Sequence, residues 1–129
     1  MDDGIKIVIV SKGRAEKIST HKVINDTIIL CPEDEVGLYK EHNPNNEIIA
    51  EPKGCKGITQ ARQFVLDKFE EVFMVDDDIE YVRNFFNGEG EQYKIESKQH
   101  VRDIINQTAH ISRQIGAKMF GFTHRRRPV

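Results

Sequence analysis

Three consecutive carboxylates, Asp76, Asp77 and Asp78, follow directly on the apolar run Val72-Phe73-Met74-Val75. Such a run reads as a buried strand, and the carboxylates then emerge at its C-terminal end, where a ligand can reach them. Side chains alternate along an extended chain, so Asp76 and Asp78 are expected on one face and Asp77 on the other. Two carboxylates sharing a face repel each other unless a proton or a cation lies between them, and hard divalent ions such as Mg²⁺ or Mn²⁺ favour oxygen ligands. An ion held by only one or two protein carboxylates keeps coordination positions open for phosphate oxygens. The same three residues equally suit a solvated acidic turn that closes a strand, so their context decides.

Two glycine-bearing basic stretches supply that context. Ser11-Lys12-Gly13-Arg14 follows a first β-rich run, Ile5 to Val10, and a polar loop in that place is where open α/β sheets gather backbone N–H groups and cations around a ligand. Lys53-Gly54-Cys55-Lys56-Gly57-Ile58-Thr59-Gln60-Ala61-Arg62 opens a helix just before the acidic strand. Its N–H groups, Lys56 and Arg62 are placed to meet a diphosphate near the carboxylates. Each loop alone is also an ordinary turn with solvated cations.

The elements that must position these residues follow from periodicity and punctuation. Ile5 to Val10 reads as a central parallel strand covered on both faces. Residues 14–24 read as a short helix with Ala15, Ile18 and Val23 inward, leading to a strand over Thr27 to Cys31 that Pro32 stops. Glu33, Asp34 and Glu35 suit the first turn of a helix running to Glu41, and Glu47 to Ala50 is a third strand. Ala61, Phe64, Val65 and Phe69 mark the buried face of the next helix, with Arg62 on another side. Tyr81 to Phe86 and Gln92 to Ile95 flank Asn87-Gly88-Glu89-Gly90-Glu91 as a Gly-rich hairpin. Ser97 N-caps a helix with Val101, Ile104, Ile105, Thr108, Ile111, Ser112 and Ile115 on one stripe and Gly116 at its end. A last strand is expected over Lys118 to Thr123, before His124-Arg125-Arg126-Arg127. The order implies an α/β fold, a mainly parallel sheet sandwiched by helices.

Composition bounds the possibilities. A chain of 129 residues is most simply a single domain, and 19 Lys plus Arg against 21 Asp plus Glu leave a net charge of −2, with no global attraction for nucleic acid. Cys31 and Cys55 stand in no metal-ligand spacing and are too few for a disulfide scaffold, which fits reduced thiols and a cytoplasmic setting. No run is long enough to span a membrane, and no signal segment is evident.

The set Ile7-Val8-Ile9-Val10-Ser11-Lys12-Gly13-Arg14, Lys56-Gly57-Ile58-Thr59-Gln60-Ala61-Arg62 and Phe73-Met74-Val75-Asp76-Asp77-Asp78 resembles the nucleotide-sugar-binding half of GT-A-fold glycosyltransferases. It is most similar to the phage group described as TET-associated glycosyltransferases, which are linked to sugar addition on hydroxymethyl-pyrimidines in DNA. The likeness runs as far as Phe86 and is looser beyond. It implies a GT-A-like, Rossmann-like domain, a nucleotide-sugar donor, Mn²⁺ or Mg²⁺, a DNA acceptor and, for a phage protein, the host cytoplasm. It also implies roles: Asp76 near the ribose or donor sugar and at the metal, Asp78 on the metal and diphosphate, Ser11, Lys12 and Arg14 bordering the base. Lys56, Gly57 and Arg62 would lie beside the donor, and His124 would complete the metal shell. Asp77 and Glu80 are the nearby carboxylates for a catalytic base, although such proteins usually carry the base in a later segment. Full glycosyltransferases of this fold continue well past the position of Thr123, so the chain is expected to be a fragment or a minimal form.

Two other classes compete. A metal-dependent phosphohydrolase or phosphotransferase also places Asp-x-Asp after an apolar strand, commonly the first one, with one Asp as nucleophile. A non-catalytic nucleotide- or DNA-binding module would use Arg125 to Arg127 on phosphates and the aspartates only for solubility.

Overall fold

The computed structural model describes residues 4–83 and 94–122. Four parallel strands form one sheet: β1 (Lys6–Val10), β2 (Ile28–Cys31), β3 (Glu47–Ala50) and β4 (Val72–Val75), in the spatial order β3-β2-β1-β4. Three α-helices accompany them, α1 (Val36–His42), α2 (Gly57–Lys68) and α3 (Lys98–Gln114). β1 pairs with β2 through Val8 opposite Ile28 and with β4 through Ile7 opposite Phe73, so it is hydrogen-bonded on both edges. Its continuous apolar run is what such a position demands, because both of its faces must also be covered.

Strand alternation divides the core between the two faces. Val8, Ile28 and Leu30 pack with Ala61 and Val65 of α2, joined by Val72, Met74 and Phe64. On the opposite face Ile7 meets Val101, Ile105 and Ala109 of α3, while Ile9, Ile29 and Cys31 meet Tyr39 of α1 and Ala15 and Ile18 of the β1–β2 connection. The result is an α/β, Rossmann-like arrangement, as the order of elements implied.

Three expectations change. Residues 14–24 form no α-helix; the connection is irregular and ends in a 3₁₀ turn at Thr20–Lys22. Ala15 and Ile18 are buried as expected, but Ser19 and Thr20 spend their polar groups on the segment after β4, in competition with helical hydrogen bonds. Lys118 to Phe122 form no strand. There, Phe120 stacks on Phe73 at 5.6 Å and Phe122 meets the same ring edge-on at 5.7 Å, so the run is fastened through its rings.

The third change is the rotation of α3. Val101, Ile105, Ala109 and Ser112 face inward, joined by Arg102, while Ile111 and Ile115 are 49% and 75% exposed. Small side chains at 109 and 112 let the helix approach the sheet, and the two isoleucines then fall on the outer side. Arg102 is buried because its guanidinium donates to the carbonyls of Ile5, Asn25 and Asp26 at 2.8–3.1 Å. Ser97 caps the helix as expected, its Oγ accepting the His100 N–H at 3.1 Å. His100 and His110 are both exposed.

Where the hairpin was expected, Arg83 and Lys94 form an antiparallel bridge and the Ile95 N–H donates to Val82 O at 2.7 Å. The residues between them, including Phe85, Phe86 and Tyr93, lie outside the described residues, as do Thr123 and His124 to Arg127. Among the described residues no helix is long and apolar enough to cross a membrane.

Candidate functional site

In the order β3-β2-β1-β4 the chain leaves β1 toward β2 on one side, then returns over the sheet to place β4 on the other. The edge beyond the carboxyl ends of β1 and β4 is therefore the topological switch point, the place where open α/β sheets bind ligands. The Ser11 to Arg14 loop leaves β1 there, and the three aspartates leave β4.

β4 ends at Val75, and Asp76 to Ile79 form a turn rather than an extended chain. The alternation of an extended strand therefore does not apply, yet Asp76 and Asp78 are both exposed and Asp77 is buried. Asp77 Oδ2 accepts the Ser11 hydroxyl at 2.6 Å, and its Oδ1 accepts Arg14 Nε–H at 3.2 Å. Ser11, itself buried, lies 2.7 Å from the Tyr39 hydroxyl. Since the Ser11 proton points to Asp77, Tyr39 must donate to Ser11 Oγ, while the phenol oxygen accepts the Arg14 N–H at 3.2 Å. Burial pushes the Tyr39 pKa upward, against the opposing pull of its contacts with the Ser11 hydroxyl and the Arg14 N–H, so the phenol stays protonated and can hold that donor role.

Every polar atom of this buried chain thus has a partner, which makes it a rigid base beneath the acidic turn. Asp77 is committed on both oxygens. Gly13 adopts φ 69°, a left-handed conformation favouring glycine, and its N–H donates to Glu35 Oε1 at 2.7 Å, tying the β1 loop to the turn before α1.

On the other side stands α2. Gly57 opens it at φ 80°, and the Lys56 N–H donates to Gln60 Oε1 at 2.8 Å, fixing the helix entry. A Cβ at Gly57 would meet open space, so the backbone angle, not crowding, calls for glycine there. Arg62, in the second turn, reaches Asp76 with Nη2 3.7 Å from Oδ1, both side chains being largely exposed. Lys12, Lys56 and Glu80 are exposed.

Of the sequence-derived set, Ser11 and Arg14 meet Asp77, and Arg62 meets Asp76. Tyr39, Ser19 and Thr20 were not anticipated. A tyrosine in a short charged helix and two hydroxyl residues in a polar connection carry no sequence signal that separates them from solvent-facing neighbours.

A four-stranded parallel sheet flanked by helices, with basic loops and exposed carboxylates at its switch point, defines the class of Rossmann-like α/β proteins. A family model described as TET-Associated Glycosyltransferase matches residues 5–128, and the chain belongs to that family of glycosyltransferases. No curated protein and no solved structure matches it.

Proposed function

We propose that this chain binds a nucleotide-sugar donor through a divalent cation, Mn²⁺ or Mg²⁺, held by Asp76 and Asp78, and transfers the sugar to a hydroxymethylated pyrimidine of DNA. The observation that carries the reading is the acidic turn at the switch point: two outward carboxylates with Arg62 3.7 Å from one of them and the β1 loop beneath. The ligand set suits the ion. Both residues offer hard carboxylate oxygens, and among the described residues no group of three or more His, Cys, Asp or Glu converges, so phosphate and water would supply the other positions.

When bound, the cation offsets the negative charge that gathers on the nucleoside diphosphate as the sugar–phosphate bond breaks. Arg62 adds a fixed positive charge beside the same position, and Lys12 and Lys56 lie on the adjoining loops. Asp77 acts from below, holding the turn through Ser11 and Arg14. With both of its oxygens engaged, Asp77 is not the base that activates an acceptor hydroxyl; Glu80 or a residue outside the described segments takes that part if configuration inverts. The acceptor is carried by the resemblance drawn from the sequence and by none of the described residues.

The test is a thermal-shift panel of nucleotide sugars with and without Mn²⁺, repeated on Asp78→Ala. At least one donor is expected to stabilise the protein only with metal, and the substitution should abolish that shift while leaving the unliganded Tm nearly unchanged, because Asp78 is exposed. Equal stabilisation in EDTA overturns the metal reading. Salt-dependent DNA binding without any donor response would favour a non-catalytic module instead.

A further inference from the structure

Thr20 lies within the irregular connection between β1 and β2, far in sequence from the aspartates, yet its side chain is fully buried against them. Its hydroxyl donates to the Asp76 carbonyl at 2.6 Å and accepts the Ile79 N–H at 3.0 Å. Asp76 and Ile79 are the first and fourth residues of the acidic turn, and that carbonyl and that N–H are the two groups that close a β-turn. The Thr20 hydroxyl therefore bridges the mouth of the turn. Ser19 adds two further ties: its N–H donates to Asp77 O at 3.0 Å, and its hydroxyl donates to Ile79 O at 2.8 Å. The backbone of the carboxylate turn is thus held at Asp76, Asp77 and Ile79 by two adjacent residues of another segment.

We propose that Thr20, assisted by Ser19, is a positioning residue for the cation: it sets the separation of the Asp76 and Asp78 carboxylates by holding the turn open at a fixed width. This role rests on the metal-dependent reading given above. A turn closed only by its own contact is free to tighten, and its outer side chains then change their spacing. Residues that orient metal ligands from behind commonly matter about 10- to 100-fold in metal affinity.

The experiment compares Thr20→Val, which keeps the shape and removes the hydroxyl, with Thr20→Ser, which keeps the hydroxyl. Mn²⁺ alone is titrated into each folded protein, with the free ion followed by its electron paramagnetic resonance signal and the fold followed by circular dichroism. Wild type and Thr20→Ser are expected to bind with similar Kd, and Thr20→Val about tenfold or more weakly. A Thr20→Val protein that is folded and binds Mn²⁺ as wild type does, even with a lowered Tm, overturns the role. Should Thr20→Val not fold, Ser19→Ala decides: weakened Mn²⁺ binding supports the role, and wild-type affinity overturns it. A wild type that binds no Mn²⁺ instead overturns the metal reading itself, so the two failures are told apart.

Discussion

At the residue scale, three adjacent aspartates do two different jobs, and hydrogen-bond partners decide which. Asp77 is buried on Ser11 and Arg14, while its neighbours face outward. Asp77→Asn keeps the shape but turns one acceptor oxygen into an NH₂ donor, facing either the Ser11 hydroxyl or the Arg14 Nε–H. A loss of about 1–3 kcal/mol is expected in urea unfolding, the usual result of leaving a buried polar group mispaired. Asp78→Ala should cost little stability by the same measurement, since its side chain is exposed. A reversed order would mean that the turn is not anchored through Asp77. The sequence left the cluster open between a ligand edge and a solvated turn, and it read the strand before it as buried, whereas all four residues of β4 are only partly buried. It carried no sign of Tyr39, because the value of that phenol comes from a serine and an arginine backbone amide that only the fold brings to it.

At the scale of elements, β1 to β4 and α2 were legible from their apolar runs and the prolines and glycines that bound them, whereas the strand expected from Lys118 onward does not form and the rotation of α3 was not legible. A stripe of seven candidate inward positions is wider than the surface a helix can bury, so packing selects among them. Here the selection includes Arg102, which reads in a sequence as a solvated cation but ties α3 to Ile5 before β1 and to the turn before β2. Arg102→Leu would strand three carbonyls, and a loss on the order of 3 kcal/mol is expected by chemical denaturation. Ile115→Ser, at a position three-quarters exposed, should change stability by less than about 0.5 kcal/mol.

At the scale of the whole molecule, the two cysteines report how the sheet is covered. Cys31 is fully buried on β2, and burial, followed by the charges of Glu35, Glu51 and Asp34, pushes its thiol up to about 12. Cys55, half-buried in the loop before α2, is also raised, through desolvation and Glu51. Iodoacetamide at pH 8 should therefore label Cys55 first and Cys31 only as the protein unfolds, and labelling in urea should make the two alike. Mass spectrometry of the alkylated protein checks this. Because the folded pKa of Cys31 lies above its ordinary value of 9.0, its contribution to stability is complete below about pH 9 and declines as pH rises toward 12. What the sequence determined by itself was local: apolar runs long enough for strands, glycine-bearing loops that interrupt them, and carboxylates following a strand. The tertiary structure alone decided which carboxylate is sequestered, what holds the acidic turn and which side of α3 is inward. Those outcomes depend on groups as far apart as Thr20 and Ile79, whose hydrogen bonds arise only once β4 lies beside β1.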